Sequence, residues 1–295
     1  MSPKPKHIDY KKELNSAQLE AVMFDDGPLL VIAGAGSGKT RTLTYRVARL
    51  VEAGVPPAAI LLLTFTRKAS AEMLTRACRL LDERCGKVSG GTFHSFANSI
   101  LRRYAAVCGF GSGFSIMDRA DAESLIGMVK KELGLSAKKR AFPRNQTLAN
   151  IFSRSVNKGL SVDEVVFNDY PHFASAADDL TTLFNLYSER KLQLNFLDYD
   201  DLLVYLYRLL RDRSDIRQNL SATYRYIMVD EYQDTNHLQA EILYHLADRN
   251  HNVMAVGDDS QSIYAFRGAN FKNIIDFPRI FPGATIIGLE ENYRS

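Results

Sequence analysis

Leu29-Leu30-Val31-Ile32-Ala33-Gly34-Ala35-Gly36-Ser37-Gly38-Lys39-Thr40 is the stretch from which the rest of the chain can be read. Five apolar residues lead into three glycines, and Lys39-Thr40 opens a helical pattern that continues to residue 54. A strand, a glycine-rich turn and a helix start in that order form the setting of a phosphate-binding loop. Gly34, Gly36 and Gly38 let the backbone curl until its N–H groups face a polyphosphate. The helix N-terminus adds partial positive charge behind them. Ala35, Gly36, Ser37 and Gly38 are the expected cradle. Lys39 is expected to neutralise the β- and γ-phosphates, and Thr40 to offer its hydroxyl to Mg²⁺.

Other short apolar runs repeat the pattern of the first. They are ILLLTFT (60–66), YRYIMVDE (224–231), NVMAVGDD (252–259) and ATIIGL (284–289). Strands apolar on both faces and alternating with helices predict a parallel sheet covered on each side. Functional side chains then belong at the carboxyl ends of the strands. Residues 93–220 read instead as successive amphipathic helices with no convincing strand. The expected fold is α/β, a P-loop NTPase core with a parallel sheet, interrupted by an all-helical insertion. Its parts are 1–92 (core, first part), 93–220 (insertion) and 221–295 (core, second part).

The composition narrows the class. The chain has 295 residues, 46% hydrophobic and 24% charged, enough for a sizeable core. No apolar run approaches the roughly 18 residues of a membrane span. The polar start MSPKPKHIDYKK lacks the apolar segment of a secretory signal. Cys78, Cys85 and Cys108 show no metal-ligand spacing and read as reduced thiols of a cytoplasmic protein. The net charge of +3 divides unevenly, with +5 over 1–92, +2 over 93–220 and −4 over 221–295. Within 128–160, Lys130, Lys131, Lys138, Lys139, Arg140, Arg144, Arg154 and Lys158 face Glu132 alone. Such a run suits a phosphate backbone, and equally a solvated helical surface.

Asp230 and Glu231 follow the strand Tyr226–Val229. Asp230 is placed to hold Mg²⁺, and Glu231 to accept a proton from a water attacking the γ-phosphate. A base beside the metal carboxylate favours hydrolysis over transfer to a hydroxyl acceptor. Gln261, after the next strand, could hydrogen-bond the γ-phosphate or that water. Tyr264, Phe266 and Arg267 supply two aromatic faces and a cation, a mix that suits stacked bases and a phosphate, although aromatics at this spacing are often core.

Taken together these stretches resemble the N-terminal part of a superfamily 1 DNA helicase of the UvrD/Rep/PcrA type. Leu14-Asn15-Ser16-Ala17-Gln18 is similar to the glutamine motif, AGAGSGKT to motif I and Thr64-Phe65-Thr66-Arg67-Lys68-Ala69 to motif Ia. Gly91-Thr92-Phe93-His94-Ser95-Phe96 resembles the DNA-contact motif that follows. VDEYQDTN resembles motif II, VGDDSQSIYAFRGA motif III and Glu291-Asn292-Tyr293-Arg294-Ser295 motif IV. The motifs run in family order along nearly the whole chain.

The resemblance implies ATP and Mg²⁺ as cofactors. Gln18 would read the adenine edge, Tyr293 would stack on the base, Arg41 would lie beside it, and Arg294 would reach the γ-phosphate. Phe65, Thr66, His94, Tyr199, Tyr264, Phe266 and Arg267 would line a groove for single-stranded DNA. The helical insertion would approach single/double-strand junctions. Phe266 stands where the family usually has Trp, a change that keeps stacking. The family continues into a second RecA-like domain with motifs V and VI, whereas this sequence stops inside motif IV. The implied activity is 3′–5′ translocation coupled to unwinding, in DNA repair or replication. Alternatives are a nucleotide- or DNA-binding module of little turnover, the motor of a helicase–nuclease, and a P-loop kinase, which leaves the motif III aromatics without a purpose.

Overall fold

Residues 7–111, 113–135, 142–248, 251–258 and 272–289 are described in a computed structural model of the chain. The chain forms two compact units, 1–96 with 210–295, and 97–209. The division falls within helices, where the sequence reading put its edges at 93 and 220.

The first unit is built on six strands: β1 (Leu29–Ala33), β2 (Ile60–Leu63), β3 (Ser89–Gly91), β6 (Tyr226–Val229), β7 (Val253–Gly257) and β8 (Thr285–Leu289). Strands β4 (Ser115–Ile116) and β5 (Phe196–Leu197) belong to the second unit. The sheet order is β3-β2-β6-β7-β1-β8, and every pairing is parallel. Register brings the strand ends level. Ile32 lies opposite Gly257, Leu63 opposite Val229 and Val229 opposite Ala255. The residues that follow β1, β6 and β7 therefore emerge along one edge of the sheet.

Helices α1 (Tyr10–Glu13), α2 (Ser16–Met23), α3 (Lys39–Glu52) and α4 (Arg67–Leu80) precede the division, and α5 (Phe93–Arg103) spans it. Leu43, Val47 and Val51 of α3 pack with Val31, Leu62 and Val256 in one buried cluster. At about 25 cal/mol per Å² such burial is the main favourable term of the fold. Helix ends are set locally. Asn15 and Gln18 form a reciprocal cap at the start of α2, and Thr66 Oγ1 accepts from Ala69 N at 3.1 Å at the start of α4. Arg46 of α3, 6% exposed, donates to the carbonyls of Val22, Phe24 and Asp25 and so holds the end of α2. Burial lowers its guanidinium pKa to about 10.

Strand β3 has no apolar residue to announce it. Its sequence, Ser-Gly-Gly, reflects close packing: a Cβ on Gly90 would lie 2.4 Å from Ser70 Oγ and 2.8 Å from Leu74 Cδ1 of α4.

The second unit carries α6 (Arg119–Glu132), α7 (Asn145–Lys158), α8 (Val162–Asp169) and α9 (Ala177–Gln193), and α10 (Tyr199–Asp212) leads out of it. Ile126, Val129, Leu148, Phe152, Val165, Leu180 and Leu183 form its core. Beyond the expected helices it has one parallel pairing, Ser115 with Phe196 and Ile116 with Leu197. Two residues per strand leave no alternation to read in sequence. The basic run is partly neutralised: Arg154 and Lys158 both reach Asp169 Oδ2, at 3.1 and 2.7 Å. Helices α11 (Ser214–Thr223), α12 (His237–Leu246) and α13 (Lys272–Ile280) return to the first unit. Among the described residues no helix is long and apolar enough to cross a membrane.

Candidate functional site

Three strand ends supply the site. After β1 the chain turns through Gly34–Gly38, with Gly36 at φ 85° and Gly38 at φ 91°. Both lie in the left-handed region where a Cβ is costly. Ser37, 3% exposed, closes the turn by donating from N and Oγ to Gly34 O at 3.2 and 2.8 Å. Ala35 is exposed on the loop, and Lys39 and Thr40 open α3.

Gln18 lies beneath this loop, 1% exposed. Its Nε2 donates to Ser37 O at 3.0 Å, while its Oε1 accepts from Asn15 N at 3.4 Å. The observed contacts of Gln18 are thus to the loop and to the cap of α2. A Cβ on Gly38 would sit 2.5 Å from Gln18 Nε2. Gly38→Ala combines that clash with an unfavourable φ, and should weaken binding of a fluorescent ADP analogue about tenfold, for a cost of roughly 1–2 kcal/mol. An unchanged affinity would show that the loop tolerates the methyl group.

Arg41 turns toward α1. Its Nη2 donates to Glu13 O at 2.7 Å and Glu13 Oε2 at 3.0 Å, and its guanidinium lies 4.9 Å from the Tyr45 ring centroid. Both charges of this pair are about half exposed, so it adds little stability.

Lys39 Nζ lies 2.9 Å from Asp258 Oδ2, after β7, and 3.5 Å from Glu231 Oε2, after β6. Asp258 is 1% exposed. Glu231 sits in left-handed backbone, φ 51°, a conformation that for a non-glycine residue stores strain of roughly 1–3 kcal/mol. Gln233, 3% exposed, ties the two acids together: its Nε2 donates to Glu231 Oε2 at 2.7 Å, and its Oε1 accepts from Asp258 N at 3.0 Å. Lys39, Asp258, Gln233 and Glu231 thus close a ring across the ends of β1, β7 and β6.

Asp230 lies 8% exposed beside this ring. Burial, reinforced by the charge of Glu231, pushes its carboxyl pKa up to about 6. Its Oδ1 has no hydrogen-bond partner among the described residues, and such a buried acceptor costs roughly 1–3 kcal/mol when it is left unmet. Asp234 is also raised, by burial and then by Glu231.

Sequence reasoning named Lys39, Thr40, Asp230 and Glu231 and missed Asp258 and Gln233. The signal for Asp258 was an acid directly after an apolar strand. The signal for Gln233 was an amide two residues beyond Glu231, at the start of a tight turn over Tyr232–Asp234.

At the neighbouring strand ends, Phe65 follows β2 and is 72% exposed, with Thr66 as the cap of α4. His94, half-buried, stands in the first turn of α5 just after β3. Tyr199, in the other unit, is 57% exposed at the start of α10. Gln261, Tyr264, Phe266, Arg267, Tyr293 and Arg294 lie outside the described residues.

Residues 14–282 match the profile of the UvrD/REP helicase N-terminal domain. The chain belongs to that family. Among its curated relatives, the ATP-dependent DNA helicase UvrD1 of Mycobacterium tuberculosis is 41% identical over 291 residues, covering 96% of this chain and 37% of the relative. The ATP-dependent DNA helicase PcrA of Bacillus subtilis is 40% identical over 283 residues, covering 96% and 38%. This UvrD/REP N-terminal domain therefore spans a little over a third of the length of the relatives it matches.

Proposed function

We propose that this chain is the ATP-binding core of a DNA helicase that translocates 3′ to 5′ on single strands and unwinds duplexes ahead of it. The observation that carries the reading is the convergence of Lys39, Asp230, Glu231 and Asp258 at the carboxyl ends of adjacent parallel strands, behind a glycine loop. The names of the relatives extend it to DNA.

In this reading the loop N–H groups and Lys39 hold the ATP phosphates. Thr40 and Asp230 would hold Mg²⁺. No cluster of three or more His, Cys, Asp or Glu among the described residues could bind a metal alone. Thr40 would offer a hydroxyl and Asp230 a buried carboxylate with an unmet oxygen, donors that suit a hard cation. When bound, Mg²⁺ neutralises charge on the β- and γ-phosphates. Glu231 would take a proton from the attacking water as the water oxygen bonds the γ-phosphorus, and the bond from the γ-phosphorus to the bridging oxygen breaks, releasing ADP and inorganic phosphate. Gln261 and Arg294 would act at the γ-phosphate, and Tyr293 and Arg41 at the base. Phe65, Thr66, His94, Tyr199, Tyr264, Phe266 and Arg267 would contact DNA by stacking and charge, with little sequence preference. A second RecA-like domain would close on ATP and reopen after hydrolysis, driving steps toward a single/double-strand junction. The setting would be cytoplasmic DNA repair or replication.

A second reading, a binding module of low turnover, is favoured for the 295 residues alone by the share of the relatives they span. Hydrolysis in such folds draws on an arginine from a facing domain, worth on the order of 10³–10⁵ in rate. The test is ATP hydrolysis with and without oligo-dT, by this chain alone and joined to a second RecA-like domain. Weak turnover alone, with DNA-stimulated turnover and unwinding when joined, is expected. Labelled phosphate appearing on a small acceptor would overturn the helicase reading. Phe65→Ala should weaken oligo-dT binding by about 1–3 kcal/mol with little change in Tm, because the ring is exposed. Unchanged affinity would remove Phe65 from the DNA groove.

A further inference from the structure

Unit 97–209 holds a buried ion cluster that none of the roles above uses. Lys191, in the last turn of α9, is 4% exposed. Its ammonium lies 2.6 Å from Asp198 Oδ2 and 2.6 Å from Asp201 Oδ2. The same two carboxylates cap the start of α10. Asp201 N donates to Asp198 Oδ1 at 2.9 Å, and Asp198 N donates to Asp201 Oδ2 at 3.0 Å. Tyr187 Oη donates to Asp198 Oδ2 at 2.9 Å, and Asp200 Oδ1 accepts from Asn157 Nδ2 at 2.9 Å.

The chain entering this turn is held as firmly. Asn195, at φ 57°, has its carbonyl bonded by Ser115 N at 3.1 Å, and Leu197 O accepts from Met117 N at 2.8 Å. The Asn195 side chain accepts from Gly111 N at 3.2 Å and donates to Gly113 O at 2.6 Å.

Of residues 198–201, the three acids are drawn inward and Tyr199 alone is exposed. Well-packed apolar side chains of similar volume often stabilise a fold as well as a buried ion cluster does. A cluster built this way does something that apolar packing would not: through the bridged, capping carboxylates of Asp198 and Asp201 it fixes the first turn of α10.

We propose that Lys191 is a positioning residue for nucleic acid: by bridging Asp198 and Asp201 it sets the start of α10 so that Tyr199 presents its ring to single-stranded DNA. The proposal rests on the reading of Tyr199 as a DNA contact.

The test is binding of fluorescein-labelled oligo-dT to the 295-residue chain carrying Lys191→Met, Lys191→Arg, Tyr199→Ala, and Lys191→Met with Tyr199→Ala. Tyr199→Ala should weaken binding about 5- to 100-fold, Lys191→Met by a comparable factor, and Lys191→Arg much less. The double variant should bind no more weakly than Tyr199→Ala, because the two changes remove one contact. A merely structural lysine would add its full loss on top of Tyr199→Ala, and that outcome, or unchanged binding by Lys191→Met, overturns the proposal. If Tyr199→Ala itself leaves binding unchanged, the reading of Tyr199 fails first. Should Lys191→Met not fold, Asp201→Asn removes one ion pair while keeping an acceptor for Asp198 N. It should weaken binding only when Tyr199 is present, and native affinity in that variant counts against the proposal.

Discussion

Glu231→Gln should slow ATP cleavage by about 10²–10⁴-fold, the range supplied by a positioned general base, and leave ATP affinity largely intact. The amide oxygen can still accept from Gln233 Nε2, now at 2.7 Å from the carboxylate, so the side chain should stay in place. Lys39 keeps its closer partner, Asp258 at 2.9 Å, and remains beside the phosphate loop. What is lost is the ability to take a proton. Single-turnover hydrolysis in the joined, two-domain protein measures the first effect, and titration with a fluorescent ATP analogue measures the second. A collapse of affinity would move Glu231 from proton acceptor to structural anchor.

Asp230→Asn should make the fold more stable while abolishing metal-dependent hydrolysis. The carboxyl is raised from 3.8 to about 6, first by burial and then by the charge of Glu231. Between those values the folded chain binds more protons than the unfolded one, so stability falls as pH rises through the window. Above about pH 6 the full deficit is present, at most about 3 kcal/mol. An amide carries no charge to bury. The variant should therefore melt several degrees higher than the native chain at pH 8, at roughly 2–4 °C per kcal/mol, and the gap should narrow toward pH 4.5. Melting curves across that range decide the matter, and a lower Tm for the variant at pH 8 would refute the burial argument. A higher Tm would mean that Asp230 keeps its charge at the expense of stability, as is common where a site needs a buried charge.

Much of this was legible in the sequence because the physical cause was local. Apolar runs announced β1, β2, β6, β7 and β8, the first four buried on both faces and the edge strand β8 on one, with Ile286 exposed. Glycines that only a tight loop requires announced the turn before Lys39. Where the cause is tertiary, the letters are silent. Ser89-Gly90-Gly91 becomes a strand because α4 presses against it, and no propensity reports that. The bond of Gln18 to Asn15 N is a helix cap that the spacing Asn-x-x-Gln announces, whereas its bond to Ser37 O depends on the loop folding over it. Asp258 and Gln233 join the ring around Lys39 only once β1, β6 and β7 lie side by side. The inward turn of Asp198 and Asp201 depends on Lys191 one helix away, and that of Asp200 on Asn157, so composition alone would count all three as surface charge.

The sheet order also sets a timetable for biosynthesis. β1, which leads into the glycine loop, has as its two neighbours β7 and β8, which are made after every other described strand of this sheet. At roughly 5–20 residues per second, a ribosome needs about 10–45 s to travel from Ala33 to Val253. Throughout that interval both edges of a highly apolar strand await partners, while residues 97–209 already have all they need to close their own core. Nascent chains of this protein should therefore present β1 to chaperones until translation passes residue 257, and a pause before that point would lengthen the exposure.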